Sequence, residues 1–101
     1  PGKSLYSASK HAVIGLTRSV GIEQITNNIR VNCISPGSTK TPMLEKVMGD
    51  NADLFIQAQP NKKLLEPIQI ASTILWLCSD ASNGITAENI VVDGGRTIAL
   101  I

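Results

Sequence analysis

Apolar residues at Val13, Ile14, Leu16, Val20, Ile22 and Ile25 recur at helical spacing within a proline-free run over about residues 5–26. The pattern predicts one long helix, about 33 Å at 1.5 Å per residue. Asn27-Asn28 ends it, because asparagine is a poor helix former that tolerates the left-handed turn beyond a C-terminus. The next six residues, Ile29-Arg30-Val31-Asn32-Cys33-Ile34, are rich in β-branched side chains and run into Ser35-Pro36-Gly37, which predicts a strand over 29–34. No period is sustained over 38–65. Short helices are suggested at 42–48 and 52–57, punctuated by Gly49 and Pro60, and a loop of that length predicts a functional segment such as a lid. Pro67 opens a second helix, whose broad face of Ile70, Ala71, Ile74, Leu75, Leu77 and Cys78 predicts a buried element reaching about Ser79. Residues 80–84 form a turn, 89–92 a short strand, and Asp93-Gly94-Gly95 a closing turn.

Helix, strand, loop with helix, and strand is half of a doubly wound α/β sheet, with 29–34 and 89–92 as parallel neighbours across a right-handed connection. Parallel strands need both faces covered and occur in larger sets. Residues 1–101 therefore read as the C-terminal part of one doubly wound parallel-sheet domain.

Composition narrows the function classes. A chain of 101 residues, 43% hydrophobic and 17% charged, predicts a single folded domain with a core. The net charge of +1 is scattered, and one Phe, one Tyr and one Trp give no stacking platform, so no nucleic-acid partner is expected. The apolar run Ile74-Leu75-Trp76-Leu77-Cys78 is far shorter than the roughly 20 residues that cross a bilayer. Pro1-Gly2-Lys3-Ser4 opens no apolar signal segment, and the expected location is cytoplasmic. Cys33 and Cys78 lie far apart without a CxxC, and His11 is the only histidine. Two buried free thiols and no metal site are expected.

The chemistry concentrates at Tyr6 and Lys10, four residues apart and hence on one helix face. An ammonium beside a phenol favours the phenolate, which suits proton transfer. By itself the pair also fits a solvated face on which a lysine stem lies against a ring. Tyr6-Ser7-Ala8-Ser9-Lys10, Ile29-Arg30-Val31-Asn32, the loop Pro36-Gly37-Ser38-Thr39-Lys40-Thr41 and Val92-Asp93-Gly94-Gly95 occur in one order over nearly the whole chain. Together they resemble the YxxxK, NIRVN, PGxxxT and VDGG motifs of the short-chain dehydrogenase/reductase family.

That resemblance implies a Rossmann-like fold and an NAD- or NADP-dependent oxidoreductase that moves a hydride between nicotinamide and a small alcohol or ketone. Tyr6 would be the general acid or base, and Lys10 would favour its phenolate and hydrogen-bond the nicotinamide ribose. The Thr39 backbone and Thr41 hydroxyl would hold the carboxamide, with Pro36-Gly37 letting the backbone come close. Pro36-Gly37 also fits an ordinary strand-ending turn. His11 is expected on the helix surface, and Asp93 is expected to support the Gly94-Gly95 turn. The loop over 38–65, with Met43, Leu44, Val47, Met48, Leu54 and Phe55, would form an apolar lid over the substrate.

In that family a glycine-rich phosphate loop, the residue that selects NAD or NADP, and a catalytic serine precede the tyrosine, and none has a counterpart in these 101 residues. The fragment alone is expected to be inactive. Lys62-Lys63 stands where many relatives carry Gly-Arg, and Asn83 and Ala87 stand where Thr or Ser and Gly are frequent. The family implies a homodimer or homotetramer, and the apolar tail Ile98-Ala99-Leu100-Ile101 suits an interface. The alternative is a non-catalytic oligomerisation or interaction domain that retains the family sequence.

Overall fold

The computed structural model describes residues 2–99, in the order α1 (Ser4–Glu23), β1 (Cys33–Pro36), α2 (Pro42–Met48), α3 (Ala52–Gln57), α4 (Pro67–Leu77), β2 (Asn89–Val92) and α5 (Arg96–Ala99). Two compact units divide the chain: Pro1–Ile34 with Trp76–Ile90, and Ser35–Leu75 with Val91–Ile101.

The strands pair directly. Cys33 N–H donates to Glu88 C=O at 3.0 Å and Gly37 N–H to Val92 C=O at 2.9 Å, so both partners advance by four residues in the same direction and the pair is parallel. Residues 33 and 37 turn their backbone groups towards β2, which leaves the donor that Pro36 lacks on the opposite edge, where it interrupts nothing in this ladder.

The expected strand over 29–34 is corrected: the ladder begins at Cys33. The preceding residues serve a loop 47 to 56 residues away in sequence, a demand that β propensity does not register. Val31 N–H donates to Thr86 Oγ1 at 3.1 Å, and Ala87 N–H donates to Val31 C=O at 2.8 Å. In a regular parallel ladder one residue would serve both Val31 C=O and Cys33 N–H. Here Ala87 serves the first and Glu88 the second, so the β2 side carries an extra residue, a bulge. Ala87 has φ 59°, in the left-handed region. Asn32 fastens this bulge from both sides, its Nδ2 donating to Ile85 C=O at 3.0 Å and its Oδ1 accepting Glu88 N–H at 3.1 Å.

Arg30 is the other fastener of this unit. Its guanidinium donates to the carbonyls of Leu77 (2.7 Å), Ser82 (2.9 Å) and Ile85 (3.1 Å), satisfying the C-terminal carbonyl of α4 that a helix leaves without a partner. Ser82, only 2% exposed, donates its hydroxyl among the carbonyls of Trp76, Leu77 and Ser79. Bonds to a charged donor are worth about 1.5–3 kcal/mol each, against about 0–1 kcal/mol for an exposed ion pair. The segment before β1 is thus held by directed polar bonds.

The helices follow their local chemistry. The long helix expected over 5–26 is α1 followed by a 3₁₀ turn at Ile25–Asn27, and Asn28 takes φ 57° as anticipated for its stop. Thr41 caps α2, its Oγ1 accepting Leu44 N–H at 3.2 Å, with Pro42 in the first turn. Gly49 ends α2 with φ 50°. Pro67 opens α4, and Gln69 Oε1 accepts Glu66 N–H at 2.8 Å in the return half of a capping box. The helix stops at Leu77, two residues before the expected end.

The helices suggested at 42–48 and 52–57 are present as α2 and α3, so 38–65 is more ordered than a plain loop. A parallel bridge between Thr39 and Leu65 closes its neck, with Leu65 N–H donating to Ser38 C=O at 2.9 Å and Lys40 N–H to Leu65 C=O at 2.7 Å.

Burial is the largest departure from the sequence expectation. Among the described residues Met48, 5% exposed, is the one buried hydrophobic side chain. α4 contains no buried residue, and Ile68, Leu75 and Trp76 are exposed on it. Cys33 is half-buried and Cys78 exposed, both free, so the expected pair of buried thiols is also corrected. An isolated two-stranded pair offers too little surface to cover the helices that flank it. α5 was not anticipated; it holds Ile98, which is exposed, while Pro1, Leu100 and Ile101 lie outside the described residues.

Candidate active site

In the first unit, α1 carries Tyr6 and Lys10 one turn apart near its N-terminal end. Both are exposed, and Lys10 Nζ stands 5.3 Å from the Tyr6 ring centroid, over its face. At that distance the cation is attracted by the ring's negative face and steadies the exposed phenol. Ser9 Oγ donates to Tyr6 C=O at 2.7 Å. His11 Nδ1 lies 2.8 Å from Ser7 C=O, and since a carbonyl only accepts, that nitrogen carries a proton. The ring is exposed on the helix surface, as its sequence position suggested.

The second unit holds the other expected residues. Pro36 ends β1. A Cβ on Gly37 would come within 2.8 Å of both Cα and Cβ of Asp93, so the tight approach that glycine permits here is to the turn after β2. Thr39 Oγ1 donates to Gly37 C=O at 3.0 Å, which bends the chain back over the end of the strand. Thr41 accepts as the α2 cap and keeps its hydroxyl proton for another partner. Sequence reasoning missed that capping duty, although Thr-Pro at a helix start signals it.

Asp93 fills the role expected of it. Its Oδ1 accepts Gly95 N–H at 2.9 Å and its Oδ2 accepts Thr97 N–H at 2.9 Å, while Gly94 and Gly95 take φ 63° and 83°. The hydroxyl and backbone N–H of Thr97 hold its carboxyl below the usual carboxylate range. The stability that this ionised cap lends to α5 is therefore present above the ordinary carboxylate pKa and fades as pH falls through the lowered value. Of the six residues assigned to the lid, Met43, Val47 and Leu54 are exposed and Met48 is turned inward. Among the described residues no cluster of His, Cys, Asp or Glu has the makings of a metal site, and no helix is long and apolar enough to cross a membrane.

The parallel strand pair with a helix before each strand is part of a Rossmann-type α/β fold. The chain belongs to the short-chain dehydrogenase/reductase family, and the family model described as Enoyl-(Acyl carrier protein) reductase matches residues 1–97. It is 41% identical over 101 residues to the A-factor type gamma-butyrolactone 1'-reductase (1S-forming) of Streptomyces virginiae, covering 97% of this chain and 39% of that protein. Among solved structures, ElxO with NADP bound matches with a TM-score of 0.84 at 33% identity, over 97% of this chain and 41% of the other. A 4-hydroxyisoleucine dehydrogenase complexed with NADH matches with a TM-score of 0.84 at 41% identity, over 92% of this chain and 39% of the other. The chain thus spans about two fifths of the length of these relatives and corresponds to part of a Rossmann-type domain.

Proposed function

We propose that this chain supplies the proton-transfer and nicotinamide-side part of an NAD(P)-dependent oxidoreductase that interconverts a small alcohol and a ketone. The observation that carries the reading is the Tyr6–Lys10 pair, with Nζ held 5.3 Å from the ring centroid and the tyrosine exposed. Bound NAD(P) would supply or take the hydride. Tyr6 would give its phenolic proton to the carbonyl oxygen in reduction and recover it from the alcohol in oxidation. Lys10 would favour the phenolate during that exchange and donate to the nicotinamide ribose. Thr41, whose hydroxyl proton is uncommitted, and the Thr39 backbone would hold the carboxamide, with Pro36-Gly37 shaping the approach. The exposed apolar residues of α2 and α3 would cover the substrate.

The whole protein would work in the cytoplasm as a homodimer or homotetramer. The exposed Leu5, Val13 and Leu16 of α1 and Ile68 and Leu75 of α4 would be covered by the rest of the domain or by a second copy.

The test uses the complete protein that contains this chain. NADH or NADPH at about 100 times its Kd should stabilise the folded state by about 2.7 kcal/mol, a rise in Tm of roughly 5–10 °C for a protein of relatives' size. No shift with either nucleotide would contradict the reading.

A further inference from the structure

Tyr6 and Lys10 share one stripe of α1 with Thr17 and Gly21. The spacings of 4, 11 and 15 residues from Tyr6 place all four within about 60° around the helix axis. Thr17 and Gly21 are the buried residues of this helix. Gly21 meets the bulge before β2: a Cβ built on it would lie 2.7 Å from Ala87 Cβ, 2.8 Å from Ala87 Cα and 3.0 Å from Ala87 N. The helix backbone therefore rests directly on the extra residue of the bulge.

That seat is fixed by side chains. Asn32 holds Ile85 C=O and Glu88 N–H, and Thr86 Oγ1 takes Val31 N–H, so the residues on either side of Ala87 are tied to the segment entering β1. Ala87 is held in a backbone conformation that L-residues rarely adopt, and such geometry persists only where its surroundings over-determine it.

From these contacts we infer that Gly21, Asn32 and Thr86 are positioning residues for the Tyr6–Lys10 pair, setting where the N-terminal end of α1 carries it. The inference rests on the proposed role of Tyr6. Fifteen residues of helix separate Gly21 from Tyr6, a lever of about 22 Å. A tilt of about 3° at the seat moves the phenol by roughly 1 Å, and a misplacement of that size costs a rate factor of up to about 100. A methyl group on Gly21 demands such an adjustment, since the 2.7 Å approach must open to an ordinary van der Waals contact. Tyr6 and Lys10 ride on the same helix, so a displaced seat moves them together and leaves their mutual geometry unchanged.

The experiment compares Gly21→Ala, Thr86→Val and Thr86→Ser in the complete enzyme, reading kcat, the pH–rate profile and Tm. Gly21→Ala should lower kcat about tenfold or more with the midpoint of the pH–rate profile unmoved. Thr86→Val, which keeps the shape but loses the oxygen that receives Val31 N–H, should lower kcat in the same direction. Thr86→Ser should restore it to within about twofold. If Gly21→Ala does not accumulate as folded protein, the threonine pair decides the matter. A Tm loss in Gly21→Ala or Thr86→Val with kcat intact would overturn the inference, as would a kcat loss accompanied by a shifted pH midpoint. Full turnover by Tyr6→Phe would instead overturn the proposed function, whereas an inactive Tyr6→Phe beside a fully active Gly21→Ala would overturn only this inference.

Discussion

If Tyr6 is the proposed acid–base group, replacing it by phenylalanine in the complete protein should lower kcat by about 10³-fold or more while leaving cofactor affinity within a few-fold. The substitution removes one oxygen and its proton and little else, because the ring is exposed and its hydroxyl has no protein partner that folding depends on. General acid–base assistance contributes about 10²–10⁴-fold, so losing the transferable proton should dominate every other consequence. The face on which Lys10 Nζ rests is present in phenylalanine as well, which preserves the cation–ring contact and with it the placement of Lys10. Steady-state kinetics with a titration of the nicotinamide nucleotide checks both halves. Turnover at the wild-type rate would remove Tyr6 from the chemistry.

The second large effect concerns the 101-residue chain by itself. It should bind NADH with a Kd weaker than about 10 μM, less than about 7 kcal/mol of binding free energy, and should reduce no carbonyl compound. Dinucleotides are held largely by their pyrophosphate, through a glycine-rich loop leading into a helix N-terminus. The eight glycines of this chain form no such cluster, and those with a positive φ, at 2, 49, 94 and 95, lie at the α1 entrance, the α2 exit and the turn after β2. The exposed apolar residues of α1 and α4 should also make the isolated chain self-associate. Calorimetry on the isolated chain reads the affinity, and tight binding would relocate the cofactor site.

Local signals were legible to the residue where they were strong. The helices at 42–48 and 52–57 and the strand at 89–92 have the predicted bounds, because proline, glycine and β-branched residues punctuate them unambiguously. The four-residue spacing of Tyr6 and Lys10 was enough to place both on one helix face. The parallel pairing of the two strands was legible as well, from the order of elements, but finer details decided by distant partners were not. Val31 and Asn32 look like strand residues, yet their hydrogen bonds go to Thr86, Ile85 and Glu88, more than 50 positions away. The Thr39–Leu65 bridge has no local signature at all. The apolar face of α4 predicts burial, but such a face states only that the helix could be covered.

Two departures from the family pattern carried more information than their residue types suggested. Lys62 and Ala87, where the resemblance leads one to expect glycine, take φ 57° and 59°. The left-handed conformation costs an L-residue on the order of 1–2 kcal/mol each. Lys62 offsets part of this locally, its Nζ donating to Gln57 C=O at 2.7 Å beyond the end of α3.

The most direct test of the proposed site is a calorimetric titration of the complete protein and its Lys10→Met variant with NADH and NADPH. The wild-type protein should bind at least one of them, and the variant should bind about tenfold or more weakly, since a hydrogen bond from a charged donor is worth about 1.5–3 kcal/mol. Equal affinity in the two proteins, or no binding by the wild type, would contradict the placement of a nicotinamide nucleotide beside Tyr6 and Lys10.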